Sequence, residues 1–393
     1  MTVLAVFVVL LLGLALISHR LARTPLTAPM LFTAAGLVLA GFGPTVERNP
    51  ATFQAFLRVA ELGLVLLLFT DASRTDLQAL NSIRNLPTRL LTAGLLLTLL
   101  LGAVLAMVVF TDLSWWEAGI VAAILAPTDA GLGQVIVTSP KVPARIRQAL
   151  NVEAGLNDGL AVPFLMLFMA RAAASADAQA PRLSTVIFQQ LGIGSAIGIG
   201  VGLLGGYLLG VARRLGLMAR EFEMLGVVTL PVLCLLASEA LGASMFIAAF
   251  VAGLAVQIGF REAGEHAVEF TDSFGQVLNL AVFFLFGMLA FHRVGEFGPR
   301  VWLYAALSLT VIRMVPVAVA LWGTGLDRAT VLFMGWFGPR GLASIVLGLV
   351  YLEHHEFGAH PTIRLAVVAT VLLSIFAHGA TALPGIAWYA RRS

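Results

Sequence analysis

Charge is what this chain has least of. Asp, Glu, Lys and Arg together make up 11% of 393 residues, against about 25% in a soluble domain. That deficit excludes a water-soluble fold, and the 59% hydrophobic content, with a mean hydropathy of +0.95, runs from end to end. Cysteine is nearly absent. Cys234 stands alone in an apolar run, which excludes a disulfide framework and a cysteine metal site. No polar stretch is long enough for a soluble domain. The first apolar segment lacks a basic flank on its N-terminal side, so a cleaved signal peptide is not expected. Serine–lysine, His-Glu-x-x-His and paired-aspartate protease patterns are missing, so neither an enzyme nor a cofactor is expected. The net charge of +3 and pI near 9.5 do not point to nucleic acid; in a membrane chain they reflect arginine held in loops on one side.

What is there is a succession of apolar segments of membrane-spanning length. Thirteen are read, at roughly 2–18, 27–43, 53–71, 88–110, 115–138, 146–170, 184–211, 221–238, 240–258, 273–291, 299–321, 328–351 and 363–388. With the N-terminus outside, fifteen basic residues fall in inner loops (among them Arg20, Arg74, Arg89, Lys141, Arg145, Arg147, Arg213, Arg214 and Arg391) and five in outer loops (Arg48, Arg171, Arg182, Arg293 and Arg300). The positive-inside rule therefore predicts N-out and C-in.

Two of these spans carry Pro and Gly beside a charge: the fifth, at Pro127-Thr128-Asp129-Ala130-Gly131, and the twelfth, at Gly338-Pro339-Arg340-Gly341. Proline removes a backbone hydrogen bond and clashes with the preceding turn. Freed backbone groups at membrane depth are tolerated only where they line protein or water. Read as six spans, a linker span and six more, the chain breaks in the fifth span of each half, and the odd linker inverts the second half. Paired interruptions in an inverted repeat point to a transporter's substrate site. The expected fold is an all-α polytopic membrane protein of about 13 transmembrane helices, with two inverted six-helix repeats and crossed broken helices 5 and 12.

The sixth span holds Asn151-Val152-Glu153-Ala154-Gly155-Leu156-Asn157-Asp158. Carboxylates inside a span face a packed interior or a watery cavity rather than lipid. Glu153 and Asn157 are four apart and share a helix face; Asp158 lies about 100° around. This spacing turns Asp158 toward the broken fifth helix and Glu153 toward Arg340. Oxygen ligands such as these suit a hard monovalent cation, and no resident metal is expected. Asp129 is expected to offset the positive half-helix ends of the first half, and Arg340 the negative ends of the second.

These motifs, with the basic run Val142-Pro143-Ala144-Arg145-Ile146-Arg147 and Gly335-Trp336-Phe337, resemble the monovalent cation:proton antiporters, in their Asn-Asp branch. The resemblance covers the whole span pattern. It implies a homodimer in the plasma or inner membrane that exchanges a monovalent cation for a proton, sodium favoured and lithium or potassium possible. It further implies electroneutral 1:1 exchange and an elevator-like core. Dimerisation-domain halves would lie at 1–86 and 215–293, core halves at 87–172 and 294–393, and a linker helix at 173–214. In this chain the resemblance gives Asp158 as the cation and proton carrier, Asn157 as its partner, Thr128 and Asp129 as the unwound pair, and Glu153 with Arg340 as the core ion pair. Relatives often carry serine directly after the glutamate, where this chain has Ala154. One oxygen ligand is lost there, and the ion preference is left open. The alternatives are a cation channel, in which the same residues line a pore, and an organic-anion carrier, which calls for a positive group at the site.

Further residues have plainer readings. Asp71 ends the third span and serves as a cytoplasmic funnel charge or a solvated helix end. Arg58 and Glu61 are spaced to pair. Arg313 in the eleventh span requires a partner and is read as one half of a structural ion pair. Gly194, Gly198, Gly202, Gly206 and Gly210 form a small-residue stripe for close helix packing. His354, His355 and His360, with Glu353 and Glu356, read as a solvated loop, and Trp115 and Trp116 as an interfacial belt.

Overall fold

The computed structural model describes residues 2–21, 24–43, 50–74, 85–129, 131–176, 183–260, 266–354 and 360–392. Every regular element among them is helical. Among the described residues nine helices are long and apolar enough to cross a membrane, and four shorter apolar helices accompany them. Each expected span is thereby occupied.

In chain order these helices are α1 (Thr2–Leu21), α2 (Ala28–Ala40), α3 (Pro50–Arg74) and α4 (Leu86–Val109), then α5a (Trp115–Leu125) with its short continuation α5b (Gln134–Val137). There follow α6 (Ala144–Ala176), α7 (Ser184–Arg214), α8 (Arg220–Leu241), α9 (Met245–Gly259), α10 (His266–Val294) and α11 (Pro299–Ala320). The twelfth span is divided into α12a (Arg328–Trp336) and α12b (Leu342–His354), and α13 covers Pro361–Ala390. The weakest expected boundary, between the eighth and ninth spans, is a left-handed Gly242 (φ 62°) closing α8 and a Ser244 cap opening α9.

The described chain forms two compact units. One comprises 1–59, 83–157 and 279–393; the other comprises 60–82 and 158–278. The first contains both broken helices. An apolar cluster there joins Ile136, Val142, Ile146 and Leu150 to Val317, Phe333, Phe337, Ile386 and Tyr389. Through it the continuation after the first break packs with α11, α12a and α13.

In the second unit the glycine stripe of α7 lies on α9. All five glycines are buried. A side chain at Gly198 would come within 2.5 Å of the Ala248 carbonyl oxygen, one at Gly202 within 2.6 Å of Ala252 O, and one at Gly206 within 2.6 Å of Val256 O. The stripe advances four residues at a time on both helices, so each missing side chain leaves room for the next carbonyl. Backbones approach this closely only where small residues repeat at helical spacing.

Candidate functional site

The first break follows from local sequence. α5a opens with a capping box, in which Ser114 and Glu117 satisfy each other's backbone amides. It stops at Leu125 because Pro127 cannot continue the helical ladder, and Thr128-Asp129 leave it without regular structure. Ala130 lies outside the described residues. The second break begins after Trp336, spans Phe337-Gly338-Pro339-Arg340-Gly341 and ends where α12b begins at Leu342.

The two breaks meet through Asp129. Its backbone N–H donates to the Pro339 carbonyl at 2.8 Å. Its Oδ1 accepts from the amides of Gly131 (2.7 Å) and Leu132 (3.1 Å), and its Oδ2 accepts from the Leu342 amide at 2.6 Å. Leu342 is the first residue of α12b, so the carboxylate caps a helix of the other half. A carboxylate at a helix N-terminus meets both unpaired amides and the positive end of the dipole. The expected role for Asp129 in the first half is thus widened: it serves both halves. Gly341 is glycine for a steric reason, since any side chain there would fall on the Asp129 carboxylate.

Thr128 is held from α6. Its N–H donates to Asn157 Oδ1 at 3.2 Å, and Asn157 Nδ2 donates to Thr128 Oγ1 at 2.7 Å. This reciprocal pair uses both ends of one amide and fixes which way the Asn157 side chain points. Asp158, the next residue on α6, is buried at 4% exposure. A cavity about the size of one water molecule lies against Thr128, Asp129, Glu153 and Ala154.

The ion pair differs from the expected one. Glu153 pairs with Arg313: Nη1 reaches Oε1 at 2.5 Å and Nη2 reaches Oε2 at 2.9 Å. Arg340 does not take that contact. Its Nη1 donates to the Gly338 carbonyl at 2.9 Å, back across its own break. The reason is geometric. Arg313 presents a planar fork that matches a carboxylate edge, and Gly338 has no side chain to block that guanidinium. Arg340 remains close enough to interact electrostatically with both Glu153 and Arg313. Arg313 thus has the structural partner its position called for.

The structure brings Thr128, Asp129, Asn157, Glu153, Arg313 and Arg340 together within one unit, all buried. Asp71 is half-buried near the end of α3. The histidine loop divides: His355 and Glu356 lie outside the described residues, while His360 caps α13 with Nε2 3.8 Å from Asp112 Oδ2. The Thr362 hydroxyl, donating to Asp112 at 2.6 Å, holds that carboxyl below the usual carboxylate range. No group of three side chains able to hold a metal occurs among the described residues.

Among the buried polar residues that the sequence reading did not single out are Ser374 and His378 on α13. Arg340 N–H donates to Ser374 Oγ at 2.6 Å, and His378 Nε2 meets the Trp336 carbonyl at 2.9 Å. The signal was present, because ionisable residues inside a span are rare and face the packed interior.

The model of the transmembrane sodium/hydrogen exchanger family matches residues 6–388. The K(+)/H(+) antiporter NhaP2 of Shewanella sp. (strain ANA-3) is 26% identical over 379 residues, covering 93% of this chain and 63% of that protein. Na(+)/H(+) antiporter 2 of Zygosaccharomyces rouxii is 28% identical over 255 residues, covering 59% of this chain and 31% of that protein. The chain thus spans less than two thirds of the length of these curated relatives. Among solved structures, the sodium proton antiporter MjNhaP1 from Methanocaldococcus jannaschii at pH 8 superposes with a TM-score of 0.78 at 19% identity, over 96% of this chain and 98% of that one.

Proposed function

The chain belongs to the sodium/hydrogen exchanger family, and on that premise we propose that it exchanges a monovalent cation for a proton across a cell membrane. The observation that carries this reading is the meeting of two broken helices through Asp129, beside the Thr128–Asn157 pair and next to a buried Asp158 on α6. Broken helices packed this way supply fixed dipoles and unpaired backbone groups at one point, as a transporter site requires.

Asp158 carries either the proton or the cation, never both, and Asn157 holds Thr128 so that its oxygens remain available beside it. Exchange is electroneutral and 1:1, one proton replacing one monovalent cation at Asp158, and alternating access carries either species across. The core halves at 87–172 and 294–393 move against the halves at 1–86 and 215–293, across which two copies pair, with 173–214 as the linker. The N-terminus lies outside and the C-terminus in the cytoplasm. Asp71 adds a funnel charge.

Sodium is the favoured ion, and lithium and potassium compete. Ala154 supplies no hydroxyl, and a water in the adjoining cavity replaces it as a ligand. An organic-anion carrier fits less well, since Arg313 is committed to Glu153. Broken helices with a titratable carboxylate favour alternating access over a continuous pore.

The test is proton flux in inside-out vesicles read with a pH-sensitive dye. The lumen is acidified, and sodium, lithium and potassium are added separately. Dequenching by one of them, insensitive to membrane potential and lost in Asp158→Asn with protein level unchanged, is expected. Cation-dependent flux persisting in Asp158→Asn would remove that residue from the mechanism, and conductance in place of exchange would favour the channel.

A further inference from the structure

Four polar residues of α13, Ser374, His378, Thr381 and Tyr389, lie on one helix face at spacings of four, three and eight. Each is bonded to α12a or to the break that follows it. Tyr389 Oη meets Thr330 Oγ1 at 2.8 Å. Thr381 Oγ1 accepts from the Trp336 indole Nε1 at 3.0 Å. His378 Nε2 meets the Trp336 carbonyl, and Ser374 Oγ accepts the Arg340 N–H. The end of α12a and the start of the extended stretch are thus gripped from one side by a single helix.

Two carbonyls face the ring, and a carbonyl oxygen only accepts: Trp336 O lies 2.9 Å from Nε2 and Ser374 O 3.1 Å from Nδ1. With the hydrogen on Nε2, at the shorter contact, the neutral ring holds a lone pair at Nδ1, 3.1 Å from Ser374 Oγ. Ser374 Oγ already accepts from Arg340, and its own hydrogen is free to point at that nitrogen. One tautomer satisfies every group along the line Arg340 N–H, Ser374 hydroxyl, His378 ring and Trp336 carbonyl. The line is buried throughout, with Ser374 at 0% and His378 at 2% exposure.

We propose that Ser374 and His378 are positioning residues: the neutral Nε2–H histidine and the serine it orients form a saddle on α13 that sets the geometry of the second break, and through it the ion site. The transmission route is a chain of bonds. The break presents the Pro339 carbonyl and the Leu342 amide to Asp129. Asp129 adjoins Thr128, which is locked to Asn157, the neighbour of Asp158. Neither Ser374 nor His378 touches the cation. They act by holding the backbone whose groups fix the ligands, and this inference rests on the exchange reading above.

The experiment separates positioning from simple support. A residue that only supports the fold lowers the amount of active protein, hence Vmax, and leaves KM alone. A positioning residue changes KM. Glutamine places its amide nitrogen where Nε2 lies, whereas asparagine reproduces only the Nδ1 end. His378→Ala is expected to raise the KM for the cation about tenfold, as one unsatisfied buried carbonyl implies. His378→Gln should return it close to wild type, and His378→Asn should not. Ser374→Ala should raise KM as well, and the double replacement should fall short of the summed effects because both act through one hydroxyl. An unchanged KM in His378→Ala, or His378→Gln as impaired as His378→Ala, overturns the proposal. Nitrogen-15 spectra of histidine-labelled protein, assigned by loss of a signal in His378→Gln, give a readout independent of transport. An Nε2–H tautomer supports the saddle, and an Nδ1–H tautomer refutes it. A wild type that exchanges no cation defeats the exchange reading, while the tautomer still decides the saddle.

Discussion

At the scale of single residues, the governing fact is that charges here are buried and few. Glu153 and Arg313 lie at 2% and 4% exposure, so each is tolerated only because of the other. Removing one partner of such a pair costs about 3–5 kcal/mol, whereas replacing both with apolar residues of similar volume is often neutral. Glu153→Ala is therefore expected to lower the thermal midpoint of the detergent-solubilised protein sharply, and Glu153→Leu with Arg313→Met to recover most of it. Equal loss in the single and double variants would show that Arg313 is satisfied by something other than Glu153. The identity of this pair was only half legible in the sequence. Helical spacing turned Glu153 to an inner face, but spans eleven and twelve each offer one arginine away from their ends, Arg313 and Arg340, and periodicity cannot choose between them. The choice depends on Gly338 leaving room for Arg313, a three-dimensional fact. His378 was legible in principle and was passed over in favour of the loop histidines.

At the scale of elements, ends and interfaces decide. α12a begins at Asp327, whose carboxylate accepts the amides of Ala329 and Thr330 and the Thr330 hydroxyl. The Thr330 hydroxyl first, and then these amides, hold the Asp327 carboxyl below its ordinary range. A carboxyl depressed in the folded state stabilises above its unfolded pKa, and the contribution fades as pH falls through the depressed value. Asp327→Ala should thus be less stable than wild type at neutral pH, and the two should converge in acid below the carboxylate range. A gap that persists there would mean the cap acts without its charge. The α7–α9 contact makes a second expectation. Gly202→Val drives a branched side chain onto the Ala252 carbonyl and should destabilise by about 1–3 kcal/mol, the usual penalty of overpacking, seen as a lower thermal midpoint. An unaltered midpoint would show that the helices can separate freely. The glycine stripe and both breaks were readable because Gly and Pro are conspicuous in apolar runs. The partner helix of the stripe was not, since α9 shows only small residues at Ala248, Ala252 and Ala255.

At the scale of the whole molecule, the span order and the inverted placement of the breaks were legible. Helix length and interruption are written locally, and the family match at residues 6–388 agrees with them. What joins the halves was not legible, because it consists largely of backbone groups. Asp129 and Leu342 are 213 residues apart, and that separation bears on how the protein is made. During synthesis at 5–20 residues per second, the first break waits about 10–40 s for the helix end that its carboxylate caps. Through that interval Asp129 lacks the Leu342 amide for its Oδ2 and the Pro339 carbonyl for its own N–H. A chain terminated after α10 never gains these partners. Pulse-chase labelling should find that fragment cleared far faster than the full chain, and Asp129→Asn in the fragment should prolong its life. A long-lived fragment would mean that other groups shelter Asp129 until its partner arrives. The same bond that unites the two halves in the finished protein would then act, before completion, as a signal to the cell that the protein is unfinished.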